Sequence, residues 1–170
     1  MLSPDPSHFD ICTEILCREY GPVDYQSEVL PWDNTEYYRD EMGDGIVRKF
    51  IFFERLMHPD EVPRIKIFTN ALEEKFSVRT GSTRQRKINL DPGYLTEAKV
   101  VLTTTKDFSH RVYIGEGIYA EVTLRYSNAD RKFITFEHTY PDFRTDIYTA
   151  TFNKARHNLR SALKKIGQDI

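Results

Sequence analysis

Lys106, His110 and Arg111 fall close together in the segment TTTKDFSHRVYIGEG, and between them they could hold an anion and move a proton. Arginine grips a phosphate or carboxylate through two parallel N–H donors, and lysine adds a point charge. Histidine titrates near neutrality, so His110 is one candidate general acid or base. Glu121, beyond the Gly-Glu-Gly turn, is the other. The hairpin HRVYIGEGIYAEVTLRY also places Tyr113, Tyr119 and Thr123 on its polar face, and Arg144 follows in TYPDFR. A plainer reading pairs Arg111 with Glu121 across the hairpin and leaves the other side chains in water.

Asp91 belongs to a second stretch, INLDPGYL. Pro-Gly in the middle of four residues fits a type II turn, in which glycine takes the positive φ. Alternatively Asp91 caps a helix whose first residue is Pro92. In either case free backbone N–H groups at a helix start would attract an anion toward Lys106, His110 and Arg111. Two further groups are weaker candidates: the carboxylates Glu36, Asp40 and Glu41 beside Tyr37 and Tyr38, and the basic run Arg79, Arg84, Arg86 and Lys87.

Other chemistries lack their motifs. The sequence has no Walker A loop, HExxH, paired CxxC or GxSxG. His8, His58, His110, His138 and His157 are scattered without metal-ligand spacing, so no metal site is expected. A formal charge of −2 argues against a dedicated nucleic-acid or anionic-membrane protein. Cys12 and Cys17 fit no redox motif and read as reduced, half-buried fillers. No apolar run approaches the roughly 20 residues that span a bilayer, and no signal peptide is visible. A cytoplasmic protein is expected.

The elements that must position these residues suit one α+β domain over 1–170. Ser7 is a plausible N-cap for a first helix carrying Phe9, Cys12, Ile15 and Leu16, stopped by Gly21-Pro22. VDYQSEVLPW and IVRKFIFFERL read as strands, the second central because Phe50 to Phe53 are apolar on both faces. A helix with Ile65, Phe68, Leu72 and Phe76 on one face follows, and then the short strand INL. YLTEAKVVLTTTK reads as a helix on length and on its Asp-Pro opening, although Val100, Val101 and the threonines prefer a strand. The hairpin comes next, with Val112, Ile114, Ile118, Ala120, Val122 and Leu124 on its apolar face. A last helix carries Tyr148, Phe152, Ala155, Leu159, Ala162 and Ile166 in one stripe.

The order helix, strand, strand, helix, strand lacks only a leading strand to complete a ferredoxin-like βαββαβ core. Such a core would be extended by a helix, the hairpin and the C-terminal helix. Its first strand would lie centrally, yet the sequence reaches its first helix almost at once. Exposing five side chains at ~1.5–3 kcal/mol each would exhaust a domain's ~5–15 kcal/mol. The expectation is that an apolar strand precedes Met1; the alternative is that another segment fills its slot, or that the topology differs.

YYRDEMG, IKIFTNALEEKF, NLDPGYL, VVLTTTKDFSHRVYIGEGIYAEVTL and TYPDFR together, in this order, resemble the prokaryotic family called domain of unknown function 4416. The resemblance implies an apolar strand before the first helix. The family pattern falls on Asp91, Lys106, His110, Arg111, Tyr113, Glu121, Thr123, Asp142 and Arg144 without giving any of them a role. Where the family often has an aromatic residue, this chain has His138. Some members are labelled GTP-binding protein, a label that no P-loop supports here.

Two functions are expected from different classes. One is a site for an anionic, nucleotide-like small molecule, using Asp91, Lys106, Arg111, Tyr113, Tyr119, Thr123 and Arg144, with His110 or Glu121 handling protons. The other is a non-catalytic module forming a homodimer through its sheet. RNA binding by the basic run ranks third. Neither the reaction nor any cofactor is legible.

Overall fold

The computed structural model describes residues 1–32, 38–80 and 83–167. Glu36 and Tyr37, and the side chains of Asp40, Arg79 and Arg84, lie outside that description. The chain has both helices and antiparallel sheets, and is α+β. It packs as two units, Met1–Pro92 and Gly93–Ile170.

The first unit begins with β1 (Leu2–Ser3), α1 (Ser7–Tyr20), β2 (Val23–Gln26) and β3 (Leu30–Pro31). It continues through α2 (Arg39–Met42), β4 (Val47–Arg48), β5 (Ile51–Phe53) and α3 (Val62–Lys75) to β6 (Val78–Thr80) and β7 (Thr83–Gln85). Asp5, rather than Ser7, satisfies the start of α1: its carboxylate accepts the Ser7 N–H at 2.9 Å, which holds its pKa below the usual range. Ser27 separates β2 from β3 by exchanging hydrogen bonds with Phe50, whose carbonyl accepts the Ser27 N–H and whose N–H donates to the Ser27 hydroxyl. The basic stretch after α3 begins as a short hairpin of β6 with β7.

Leu2 and Ser3 form a short strand ahead of α1. Leu2 pairs antiparallel with Arg48 on one side and with Asn89 on the other, and Arg48 pairs in turn with Leu30. The centre of the pairing is therefore at Arg48, not at Phe50 to Phe53. Around it, Phe9, Cys12 and Leu16 of α1 pack with Leu72, Ile88 and Leu90. A second cluster joins Leu2, Trp32, Met42 and Ile46. Both cysteines are free, and burial pushes the Cys12 thiol up to about 11, where it carries no thiolate at neutral pH.

The second unit holds β8 (Gly93–Leu95), β9 (Lys99–Thr104), β10 (Val112–Gly115), β11 (Ile118–Ser127), β12 (Lys132–Thr135) and α4 (Asp146–Lys165). The helix expected over 94–106 is instead the β8–β9 hairpin. Its β-branched run, Val100, Val101 and Thr103, lies against β11, and this pairing overrides the helical spacing of Leu95, Ala98 and Leu102. Asp91 therefore caps no helix, and Gly93 does not take the positive φ of a type II turn. Gly93 is needed for a different reason: a Cβ there would stand 2.1 Å from the Val101 carbonyl oxygen. Gly93→Ala is expected to cost about 1–3 kcal/mol by forcing β8 away from β9, measured as a lowered midpoint in urea.

A three-residue Gly-Glu-Gly loop would set Ile114 against Ile118, but Glu116 and Gly117 both take positive φ and make a two-residue turn, so Gly115 pairs with Ile118 while Val112 meets Ala120. A bulge at Thr123 then breaks the predicted alternation. Glu121 opposes Leu102, Val122 opposes Val101, and Leu124 opposes Val100, which puts Glu121 and Leu124 on one face. Val112 and Val122 are exposed, whereas Glu121 and Thr123 are buried. Tyr148, Phe152, Ala155 and Leu163 of α4 are buried, with the Phe143 ring against Tyr148 and Phe152. Ile166 lies beyond the helix end and is exposed.

Candidate functional site

Glu121 is only 3% exposed, in the middle of β11. A carboxylate taken out of water needs both charge compensation and hydrogen-bond donors. Arg111 Nε donates to Oε2 at 2.9 Å, His110 Nε2 lies 3.1 Å from the same oxygen, and the Thr123 hydroxyl approaches Oε1 at 3.4 Å. The remaining Arg111 donors are also engaged, Nη1 with the Lys106 carbonyl at 3.1 Å and Nη2 with the Tyr140 hydroxyl at 2.7 Å. The guanidinium thus ties three segments together around Glu121.

A carboxylate can only accept, so the His110 nitrogen that faces it carries the hydrogen. In the neutral ring Nδ1 then holds the lone pair. His138 is anchored in the same way, with Nε2 3.1 Å from the Val122 carbonyl. The two imidazoles stack, with centroids 4.5 Å apart and planes 19° from parallel. The Phe136 ring continues the stack at 5.1 Å and 14°, and Phe108 meets His110 edge-on at 5.4 Å and 62°. Stacking at position 138 is therefore kept by an imidazole.

Arg144 serves this arrangement indirectly. Its Nε and Nη2 donate to the Thr139 and Glu137 carbonyls at 3.0 and 2.7 Å, which fastens the segment that carries His138 and Tyr140. Thr139 adds a 2.7 Å bond from its hydroxyl to the Thr123 carbonyl. Tyr113 and Tyr119 contact each other edge-on at 5.4 Å, and the Tyr113 hydroxyl accepts the Gly117 N–H. Lys106 is exposed, with its main chain bonded to Arg111 through the carbonyl and to the Thr104 hydroxyl through N–H.

The profile of a protein family described as Domain of unknown function (DUF4416) matches residues 1–159. The chain belongs to the DUF4416 family. No curated protein and no solved structure matches it. The matched span of this DUF4416 chain includes the whole Glu121 cluster. Asp142, also on the family pattern, is buried and accepts the Phe143 N–H on Oδ1 at 3.1 Å.

Asp91 has other partners. Its carboxylate accepts from Lys66 Nζ at 3.1 Å and from the Asn89 amide at 2.6 Å. Lys66 Nζ also donates to the Leu90 carbonyl at 2.9 Å, and Glu73 accepts the Leu90 N–H at 2.7 Å and Arg86 at 3.1 Å. Arg86, from the basic run, further bonds Glu41 and Asn89 and lies over the Tyr38 ring. Burial raises the Asp91 pKa, but the Lys66 ammonium and the hydrogen bonds outweigh it and hold the group below the carboxylate range. For Glu73 burial prevails over Lys66 and the Leu90 N–H, and its pKa is raised.

Sequence reasoning singled out Asp91, Arg86 and Glu41 but missed Lys66, Glu73 and Asn89 of this second cluster, and missed Phe108, Phe136, His138 and Tyr140 in the first. A signal for the latter was present: Phe136, His138 and Tyr140 put an aromatic ring at every second position. Among the described residues no group of three or more His, Cys, Asp and Glu could hold a metal ion, and no helix is long and apolar enough to cross a membrane.

Proposed function

We propose that this DUF4416 protein binds a small anionic molecule at the Glu121 cluster, with His110 as its acid–base group. The observation that carries the reading is a buried carboxylate with more partners than neutrality requires. Arg111 alone balances the charge of Glu121, yet His110 joins it while 22% of its side chain stays open to solvent. In that role Nδ1 takes a proton from a ligand O–H or N–H, and Glu121 stabilises the imidazolium that forms. Lys106, which is exposed, supplies the positive charge for the anion, and Arg111 adds its charge from within while its donors hold Glu121, the Lys106 carbonyl and Tyr140. Arg144 is a positioning residue, and Thr123 supports Glu121 from within.

Titration calorimetry with inorganic phosphate, ribose 5-phosphate and nucleoside monophosphates tests this. Wild type is expected to bind at least one probe. Lys106→Ala, at an exposed position, and Arg111→Ala are each expected to weaken binding about tenfold or more. No binding to wild type, or unchanged binding by both variants, overturns the reading.

A second reading, a homodimer formed through the sheet, is favoured by Val112, which is 69% exposed, and by its neighbour Val122 on the same face. Light scattering that reports only monomer removes it. For the first unit we further propose a ferredoxin-like arrangement. It is supported by the antiparallel order Asn89, Leu2, Arg48, Leu30, with α1 following the Leu2 strand and α3 following β5.

A further inference from the structure

Three rings, those of Phe136, His138 and His110, form a nearly parallel column on the second unit. The inner end is fixed: Arg125 lies over Phe136 at 5.9 Å, and His138 is bonded to the Val122 carbonyl. The outer end differs in kind. Beyond His110 the next ring is Phe108, which meets it edge-on and is 63% exposed. A phenyl ring that far out in water gains little from burial where it stands, and loses little by turning. Its neighbours Lys106 and Arg111 carry positive charge, and His110 points its anchored nitrogen away, toward Glu121.

We propose that the outer end of this column receives a planar heteroaromatic ring of the ligand, stacked on His110, with Phe108 turning to cover its far face. The proposal rests on the anion-site reading above and adds the ring. Such a ring continues the spacing already set by the imidazoles, and the anionic group of the same molecule reaches Lys106 and Arg111. Stacking needs no particular edge pattern of donors and acceptors, so the class is defined by a flat π-face carrying a charged substituent. Phe108 closes the site, and His138 holds His110 in plane from behind.

The test compares ring-bearing and ringless anions on the intact chain. Adenosine, guanosine and uridine monophosphates and pyridoxine 5-phosphate are titrated beside ribose 5-phosphate and inorganic phosphate. At least one ring-bearing probe is expected to bind about 5- to 100-fold more tightly than ribose 5-phosphate. Phe108→Ala should remove most of that advantage and leave phosphate binding unchanged, and Phe108→Trp should restore it. Because Phe108 is exposed, these variants keep the fold. Equal binding of ringed and ringless probes, or an advantage that survives Phe108→Ala, overturns the stacking proposal and leaves the anion site standing. No binding of any probe overturns both.

Discussion

Replacing Glu121 by alanine is expected to destabilise the second unit by about 3–5 kcal/mol, among the largest effects of any single substitution in the chain. The cost comes less from lost attraction than from what is left behind. Arg111, with a side chain 9% exposed, would keep its charge beside an empty space, and His110 would lose its anchor. Glu121→Gln should cost less, because the amide oxygen can still accept from Arg111 Nε. Replacing Glu121, Arg111 and His110 together by apolar residues of similar size is expected to restore much of the stability, since a well-packed apolar set avoids the desolvation of both charges. Urea unfolding of the three variants separates these cases. A loss below about 1 kcal/mol for Glu121→Ala would mean that the carboxylate is solvated, in the range of surface ion pairs.

Lys66→Met is expected to cost about 2–4 kcal/mol. Lys66 is 5% exposed and serves both the Leu90 carbonyl and Asp91. The cost is smaller than for Glu121→Ala because Asp91 keeps part of its carboxyl in water. The loss should also depend on pH. Asp91 has a depressed folded pKa, so its contribution is present above the unfolded value and is lost as pH falls through the folded one. Glu73 has a raised folded pKa, so its contribution is present below the unfolded value and is lost as pH rises through the folded one. Lys66 lowers both groups. Without it, Asp91 loses its acid limb and Glu73 moves higher still. The gap between wild type and Lys66→Met should therefore be wider near pH 7 than near pH 4, measured by urea unfolding at each. A gap independent of pH would show that Lys66 acts through packing alone.

Both clusters show how far side-chain chemistry can be read along a chain. Arg111 and Glu121 flank the tip of a hairpin, so their meeting follows from local strand pairing and was legible. Lys66 and Glu73 were not, because the apolar stripe of α3 directs attention to Leu72 and Phe68, and charged residues on the buried side look like solvated ones. Their partners, Asn89 to Asp91, come from well beyond the helix, where the expected strand INL is reduced to a single bridge from Asn89 to Leu2, and no local periodicity reports such a distance. The helix expected over 94–106 failed for a related reason. Its spacing suits a helix and its β-branched residues suit a strand, and the pairing of β9 with β11 decided between them.

The sequence by itself determined the α+β class, the helices α1, α3 and α4, the hairpin of β10 and β11, and the family. These rest on 3.6- and 2-residue periodicities, on turn glycines and on collinear motifs, all of which are local or additive. Tertiary structure alone decided that Leu2 lies between Arg48 and Asn89, and that Thr123 bulges and sends Val122 outward. It also decided that Gly93 is required by the Val101 carbonyl, and that His110 stacks on His138 while sharing Glu121 with Arg111. Each of these depends on which atoms meet across distant parts of the chain. A two-residue strand or a one-residue bulge leaves no period in the sequence, because its stability comes from the partners it finds.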